Sequence, residues 1–338
     1  MKYSVIIPVY NRPDEVEELL ESLDGQSFED FEVILVEDGS LVPCRDAVIA
    51  AGGVDADDVP DTDARIRYYS KRNGGPGMAR NYGAERACGE YLVILDSDVI
   101  VPENYFLEIE KELEGNSCDA FGGPDRAADS FTPVQKAISY SMTSFFTTGG
   151  IRGGKKRMDR FYPRSFNMGI RRSVYNALGG FSEMRFGEDI DLSIRIFEAG
   201  YTCRLFPGAW VWHKRRTDFR KFFRQVFNSG IARINLQIKH PGSLKPVHVL
   251  PALFTAGVAL TVLLAFFCPY TLLAPVLYAL IVFIDSSCKS RSLKIGGLSI
   301  IAAYVQLTGY GTGFMAAWWQ RMVLKRGEYE AFRKTFYK

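Results

Sequence analysis

Over about the first 215 residues, apolar positions fall in short runs separated by polar, glycine-marked turns; two long uncharged blocks follow. The first run, Ser4 to Ile7, leads into Pro8-Val9-Tyr10-Asn11 and predicts a strand. Asn11 as a cap, Pro13 and Asp14 in a first turn, Val16, Leu19, Leu20 and Leu23 at helical spacing, and Gly25 behind them predict a helix. Phe31 to Val36 predicts a second strand, ending in Glu37-Asp38-Gly39-Ser40, so the pair forms a βαβ unit with an acidic loop at its carboxyl edge. Residues 41–64, rich in Asp and holding Gly52-Gly53, read as a variable surface excursion. Arg65 to Ser70 predicts a short strand, and Asn73-Gly74-Gly75-Pro76-Gly77 a turn opening a helix to about Ala87. The run Tyr91 to Leu95 predicts a buried strand, followed by a helix after Pro102, a strand near Ala120 and a helical stretch from Pro133 to Phe146. Alternating strands and helices imply an α/β fold with a mainly parallel sheet.

The later blocks differ in kind. Val249 to Ile284 carries no charge over 36 positions and Ile295 to Gln320 none over 26, and uncharged stretches beyond about 18 residues suit a bilayer. Val249 to Phe267 is long enough to cross, and Thr271 to Ile284 to return. The polar stretch Asp285 to Lys294, with Lys289, Arg291 and Lys294, reads as a cytoplasmic loop, and the tail from Arg321 is basic as well. Two basic flanks leave the third block as a re-entrant or interfacial segment, or as a crossing that breaks the charge rule; its glycines (Gly296, Gly297, Gly309, Gly311, Gly313) suit close packing or a re-entrant turn. Phe219 to Ile238 mixes aromatics with Arg220, Lys221 and Arg224, and reads either as a helix on the cytoplasmic leaflet or as a buried brace. The predicted organisation is a catalytic domain at 1–213, an amphipathic and basic juxtamembrane segment at 214–245, a transmembrane region of two or three segments at 246–320 and a basic tail at 321–338.

Charge and cysteine content narrow the class. The net charge is only +2, yet Lys214, Arg215, Arg216, Arg220, Lys221 and Arg224 cluster against the single acid Asp218 just before the first apolar block. Such a cluster belongs beside anionic headgroups, and with the domain as a whole not basic, no nucleic-acid partner is expected. The six cysteines show no Cys-x-x-Cys spacing, so neither a zinc site nor a disulfide framework is expected. The Ser4 to Val9 run is too short for a signal peptide and is broken by Pro8, which places the globular part in the cytoplasm as an expectation.

Candidate chemistry gathers at strand ends. Asp96 and Asp98 follow the Tyr91–Leu95 run, and alternate residues of a strand share a face. Two carboxylates so placed suit a divalent cation carrying a nucleotide diphosphate, although Asp-Ser-Asp is also an ordinary polar exit into a turn. Arg72 and Arg80 bracket the glycine turn at a helix start, where guanidinium forks and free N–H groups favour phosphate; Arg80 is alternatively an ion-pair partner for Asp96 or Asp98. Asp189 opens a helix bearing Leu192, Ile196 and Ala199 on one face, a position that favours an ionised carboxylate able to act as a base. The glycine-rich basic stretch Thr147 to Arg157 reads as a mobile loop over such a site.

Six pieces in order resemble glycosyltransferase family 2: the run from Ser4 to Asn11; Val36-Glu37-Asp38-Gly39-Ser40; Asn73-x-Gly75 with Ala79-Arg80-Asn81-x-Gly83; Asp96-x-Asp98; Phe166-Asn167-Met168-Gly169; and Gly187-Glu188-Asp189-x-Asp191-Leu192. The resemblance covers about residues 1–213 and implies a GT-A, Rossmann-like catalytic fold followed by transmembrane helices. It implies a base pocket of Pro8, Tyr10 and Asp38, with Asp38 accepting from a uracil ring N–H. Asp98 then holds Mn²⁺ or Mg²⁺, Asp96 contacts ribose or the metal, His213 adds an imidazole ligand, and Asp189 is the base. Asn167, Glu188 and Arg152 fall on the acceptor side. The implied activity is inverting, metal-dependent transfer from a UDP-sugar to a membrane-held acceptor such as a lipid-linked glycan, by a multi-pass protein of the inner membrane whose catalytic domain faces the cytoplasm. The family's processive members carry Gln-x-x-Arg-Trp after the base; Gln225-Val226-Phe227-Asn228-Ser229 departs from it, so transfer of one or a few sugars is expected. The enzyme alternative is a polyprenyl-phosphate glycosyltransferase gripping lipid phosphate through Arg152, Lys155, Lys156 or Arg157. The non-enzyme alternative is a nucleotide-sugar-binding membrane scaffold.

Overall fold

The structure, a computed structural model, describes residues 1–59, 63–126, 131–149, 161–214 and 216–327. In chain order it begins β1 (Tyr3–Val9), α1 (Pro13–Asp24), β2 (Phe31–Asp38), α2 (Arg45–Ala50), β3 (Val54–Asp55), β4 (Ile66–Lys71), α3 (Pro76–Ala84) and β5 (Tyr91–Leu95). It continues with β6 (Val99–Ile100), α4 (Tyr105–Gly115), β7 (Ala120–Gly122), β8 (Asp125–Arg126), α5 (Pro133–Thr143) and α6 (Phe145–Thr148). Next come β9 (Asn167–Arg171), α7 (Arg172–Ala177), α8 (Glu188–Glu198), β10 (Cys203–Leu205) and β11 (Val211–His213). Four long helices close the chain: α9 (Phe219–Lys239), α10 (Leu250–Leu264), α11 (Leu273–Ser290) and α12 (Leu293–Trp318). The chain divides into two compact units, Met1–Ala128 with Arg157–Lys214, and Asp129–Lys156 with Arg215–Lys338. The segment 129–156, which the linear reading left inside 1–213, thus groups with the later helices.

The first unit is built on an eight-stranded sheet of order β10-β7-β9-β5-β1-β2-β4-β3. β1 runs parallel to β2 and β5, and β9 enters antiparallel between β5 and β7. The central strands read as unbroken apolar runs because both faces are covered. Val5, Ile7 and Val9 of β1 pack with Val16, Leu19 and Phe106 of α1 and α4, whereas Ile6 faces the opposite cluster with Ala79 of α3 and Leu192 of α8. α3 lies so close to the sheet that a Cβ on Gly83 would stand 2.8 Å from Ile6 Cγ2, so only glycine fits there. A second, three-stranded sheet, β6-β11-β8, is attached where β5 ends.

Two local expectations are corrected. Asn11 does not cap α1: the N-cap is Arg12 and no side chain caps there. Asn11 takes φ +53° and its side-chain oxygen accepts from the backbone N–H groups of Leu41 (2.7 Å) and Val42 (3.0 Å), tying β1 to the loop after β2. The stretch 41–64 is also more than an excursion. It carries α2, whose Val48 is buried, and β3, which pairs with β4 and completes the sheet edge.

In the second unit α12 is one continuous helix, so the third uncharged block contains no re-entrant turn. α9 packs along it, with Phe222, Val226, Ile231 and Ile234 buried, which is the bracing arrangement. Glycines set the distance: a Cβ on Gly230 would lie 2.2 Å from the Tyr310 carbonyl oxygen, and one on Gly313 2.1 Å from that of Phe227. Two helical stretches, Pro246–Leu264 and Pro269–Ser290, are long and apolar enough to cross a membrane.

Candidate active site

β5 ends at Leu95, and Asp96-Ser97-Asp98 turns into β6 at the carboxyl edge of the sheet, where open α/β sheets hold ligands. β11 lies antiparallel on β6 with His213 opposite Val99. That pairing sets the imidazole beside the turn, with Nε2 3.2 Å from Asp98 Oδ1. Nδ1 lies 3.9 Å from an Asp125 carboxylate oxygen, and the ring stacks on Phe166 with centroids 4.9 Å apart. At that separation from Asp125, Nδ1 makes no hydrogen bond, so it is the Phe166 stack that sets the ring's plane. Donor atoms of Asp96, Asp98 and His213 all lie within 4.8 Å of one another. Two carboxylates and one imidazole fit a cation of the Mn²⁺ or Mg²⁺ type, the nitrogen favouring Mn²⁺.

Each of these carboxylates also meets a guanidinium. Arg12 contacts Asp98 Oδ2 through Nη1. Arg80, only 3% exposed, donates from Nη2 to Asp96 Oδ1 at 2.8 Å and from Nη1 to Glu188 Oε1 at 3.0 Å. Arg80 therefore takes the ion-pair role that was the alternative to a diphosphate wall. It also ties the start of α8 to the Asp96 turn, since one guanidinium bridges them. Burial raises the Glu188 carboxyl to about 7; Arg80 works against the rise and the adjacent Asp189 charge adds to it.

Asp189, the second residue of α8, accepts from the Ile190 N–H at 2.8 Å and pairs with Arg164 Nε at 2.9 Å. One N–H at the helix start and one guanidinium thus fix the orientation of that carboxylate. Asn167 is 1% exposed; its Oδ1 accepts from Tyr105 Oη (2.6 Å) and its Nδ2 donates to the Ala209 carbonyl (2.8 Å). Both ends of that amide therefore serve the scaffold joining β9 to α4. Arg152, Lys155, Lys156 and Arg157, with most of the glycine-rich stretch, lie outside the described residues.

At the ends of β1 and β2, Val9 pairs with Glu37, which brings Tyr10 and Asp38 to neighbouring strand termini, with Pro8 one step behind. The Asp38 carboxylate accepts from Lys71 Nζ (2.7 Å) and from the N–H groups of Gly74 (2.9 Å) and Gly75 (2.7 Å). It thus organises the glycine turn before α3, and a carboxylate with about four acceptor positions keeps room for one more donor. Gly39 has φ +74°, and a Cβ there would stand 2.8 Å from the Asn73 nitrogen. Arg72 is exposed, and its carbonyl accepts from Lys71 Nζ at 2.8 Å. The linear reading missed Arg12, Lys71, Asp125 and Arg164. Arg12 was the most accessible of them, since it directly follows the Pro8-Val9-Tyr10-Asn11 exit from β1.

Residues 4–179, just over half of the chain, match the family model described as Glycosyl transferase family 2. The chain belongs to glycosyl transferase family 2. It thus carries a glycosyltransferase-family domain, and its first unit has the GT-A-like fold. A pre-mycofactocin glycosyltransferase of Mycobacterium tuberculosis is 31% identical over 252 residues, 72% of this chain and 49% of that protein. An uncharacterized glycosyltransferase, EpsJ, of Bacillus subtilis is 39% identical over 119 residues, 35% of this chain and 32% of its own length. The chain thus spans at most about half the length of these curated relatives. Among solved structures, the mannosyltransferase PcManGT of Pyrobaculum calidifontis, in complex with GDP-Man and Mn²⁺, superposes with a TM-score of 0.57 at 17% identity, covering 95% of this chain and 88% of that one. At that identity the likeness speaks for the fold.

Proposed function

We propose that this family 2 member is an inverting, metal-dependent glycosyltransferase that moves one sugar from a nucleoside-diphosphate donor, a UDP-sugar, to a membrane-held acceptor such as a lipid-linked glycan. The observation that carries the reading is the convergence of Asp96, Asp98 and His213, donor atoms within 4.8 Å of one another, with α8 tied to the same turn through Arg80 and Glu188. Asp96, Asp98 and His213 would hold Mn²⁺ or Mg²⁺, and such a cation supplies neutralisation of the charge developing on the departing diphosphate. Asp38, with Pro8 and Tyr10, receives the base. Asp189 accepts the proton of the acceptor hydroxyl as its oxygen bonds to the anomeric carbon and the nucleoside diphosphate departs from the opposite face. A single displacement of this kind inverts the anomeric configuration. Arg164 holds the Asp189 carboxylate, and Glu188, buried on Arg80, fixes the start of α8. The exposed apolar faces of α10 and α11, including Leu260, Leu263, Val276 and Leu280, support insertion in the bilayer, and the basic residues Lys289, Arg291 and Lys294 after the second helix support a cytoplasmic enzyme unit.

The test is release of nucleoside diphosphate from a panel of UDP- and GDP-sugars, by the full chain in membranes, with Mn²⁺ and after chelation. Labelled donor is supplied with either bare polyprenyl phosphate or a lipid-linked saccharide, and the product anomer is read by NMR. Metal-dependent release from a UDP-sugar, an inverted product and label on the lipid-linked saccharide are expected. Full turnover after chelation, or a retained anomer, overturns the mechanism; label on bare polyprenyl phosphate overturns the acceptor.

A further inference from the structure

Both carboxylates at the end of β5 are covered by guanidinium groups, but the two covers are unequally tethered. Arg80 is buried and bonded at once to Asp96 and Glu188, so it cannot leave without stranding a buried charge. Arg12 is different: its side chain is 26% exposed and its ion pair is to Asp98 alone among the described residues. It is the N-cap residue of α1 and its side chain makes no capping bond, while Pro13 starts the helix. Nothing in the packing of α1 requires that side chain to stay on Asp98.

We propose that Arg12 is a coupling residue that makes cation binding at Asp98 depend on arrival of the donor diphosphate. The inference rests on the reading of Asp96, Asp98 and His213 as the cation site and adds to it the order in which that site fills. A divalent cation taking Asp98 Oδ1, the oxygen that faces His213, draws on the same carboxylate charge that Arg12 pairs with at Oδ2, and it sets a guanidinium beside a doubly charged ion, an arrangement that like-charge repulsion disfavours. A cation arriving with a diphosphate meets no such obstacle. The carboxylate passes to the cation, and the guanidinium fork, which matches phosphate oxygens in pairs, passes to the diphosphate. Cation and donor are therefore bound cooperatively, and by reciprocity the loss of the nucleoside diphosphate after transfer weakens the hold on the cation. His213 is stacked on Phe166, so the proposed exchange asks only the partly exposed Arg12 side chain to change partner.

The experiment titrates Mn²⁺ into the full chain in detergent, reading free Mn²⁺ by electron paramagnetic resonance, without and with UDP. Wild type is compared with Arg12→Met and Arg12→Gln, and near-UV circular dichroism confirms that each is folded. Without UDP, both variants bind Mn²⁺ roughly 5- to 20-fold more tightly than wild type, the scale of a partly exposed ion pair in competition. The enhancement that UDP confers on wild type shrinks by a similar factor. Donor-free Mn²⁺ affinity unchanged or weakened in a folded variant overturns the inference, because a purely structural Arg12 would leave the metal indifferent to its loss. If Asp98→Asn abolishes Mn²⁺ binding while the Arg12 variants match wild type, only the coupling role fails. If Mn²⁺ binds none of these proteins, with or without UDP, the cation site fails and the coupling role with it.

Discussion

Four carboxylates (Asp96, Asp98, Glu188, Asp189) meet three guanidinium groups (Arg12, Arg80, Arg164), and the pattern of pairing assigns different tasks to neighbouring residues. Glu188 and Asp189 are adjacent, yet the first is buried against Arg80 and the second meets the Ile190 N–H and Arg164. Asp189→Asn keeps the volume and removes the proton acceptor, so kcat should fall by about 10²–10⁴ while donor affinity holds, as turnover and calorimetry would show. Glu188 should show itself in stability instead. Its folded value is raised to about 7 from an ordinary 4.5, so between these pH values the native state holds a proton that the unfolded chain has released. Stability from this group is therefore greatest below the window and declines as pH rises through it. Glu188→Gln should flatten that decline in thermal denaturation between pH 4.5 and 7; an unchanged slope would refute the assignment. The acidic residues were legible because each stands at a strand or helix terminus. Arg12 was not, because its partner lies 86 positions away and a single arginine after a turn has no pattern of its own.

The same contrast holds for elements. β1, β2 and β5 were legible within about two residues because a strand covered on both faces must be apolar throughout, and that run stands out against glycine-marked turns. α2 and β3 were hidden because six and two residues are too short to show a period, and between them they bury only Val48. α12 was visible as an uncharged block, but its role came from glycines whose partners sit on α9. That crossing makes a paired prediction. At Gly313 a Cβ would stand 2.1 Å from a carbonyl oxygen, whereas at Gly297 it would meet nothing within 4 Å. Gly313→Ala should destabilise the protein by about 1–3 kcal/mol through overpacking. Gly297→Ala, on the same helix, should be neutral or gain up to about 1 kcal/mol from helix propensity. Unfolding of both variants in one detergent isolates the contact from the generic effect of adding a methyl group.

For the molecule as a whole, the decisive property is the surface of α10 and α11. Leu253, Leu263, Val276 and Leu277 are exposed, as are Phe266 and Phe267 in the turn between the two helices, and among the described residues of α10 Ala252 alone is buried. Water would charge heavily for so much apolar surface, whereas lipid would not. The predicted polar loop Asp285 to Lys294 is helical except at Arg291 and Ser292, between α11 and α12. If Pro246–Leu264 and Pro269–Ser290 cross as a hairpin, the turn at Cys268 must emerge on the face opposite that short connection, and the charge rule for Lys289, Arg291 and Lys294 predicts that the connection is cytoplasmic. Exposed Cys88, Cys268 and Cys288 supply a direct readout. In single-cysteine variants, a membrane-impermeant maleimide applied to intact cells should label Cys268, and should label Cys88 and Cys288 only after lysis. The chain should also stay with membranes through alkaline carbonate and leave only in detergent. Labelling of Cys88 from outside would reverse the orientation. Equal protection of Cys268 and Cys288 in intact cells, with release by carbonate, would mean that α10 and α11 lie along the membrane or against another protein instead of crossing it.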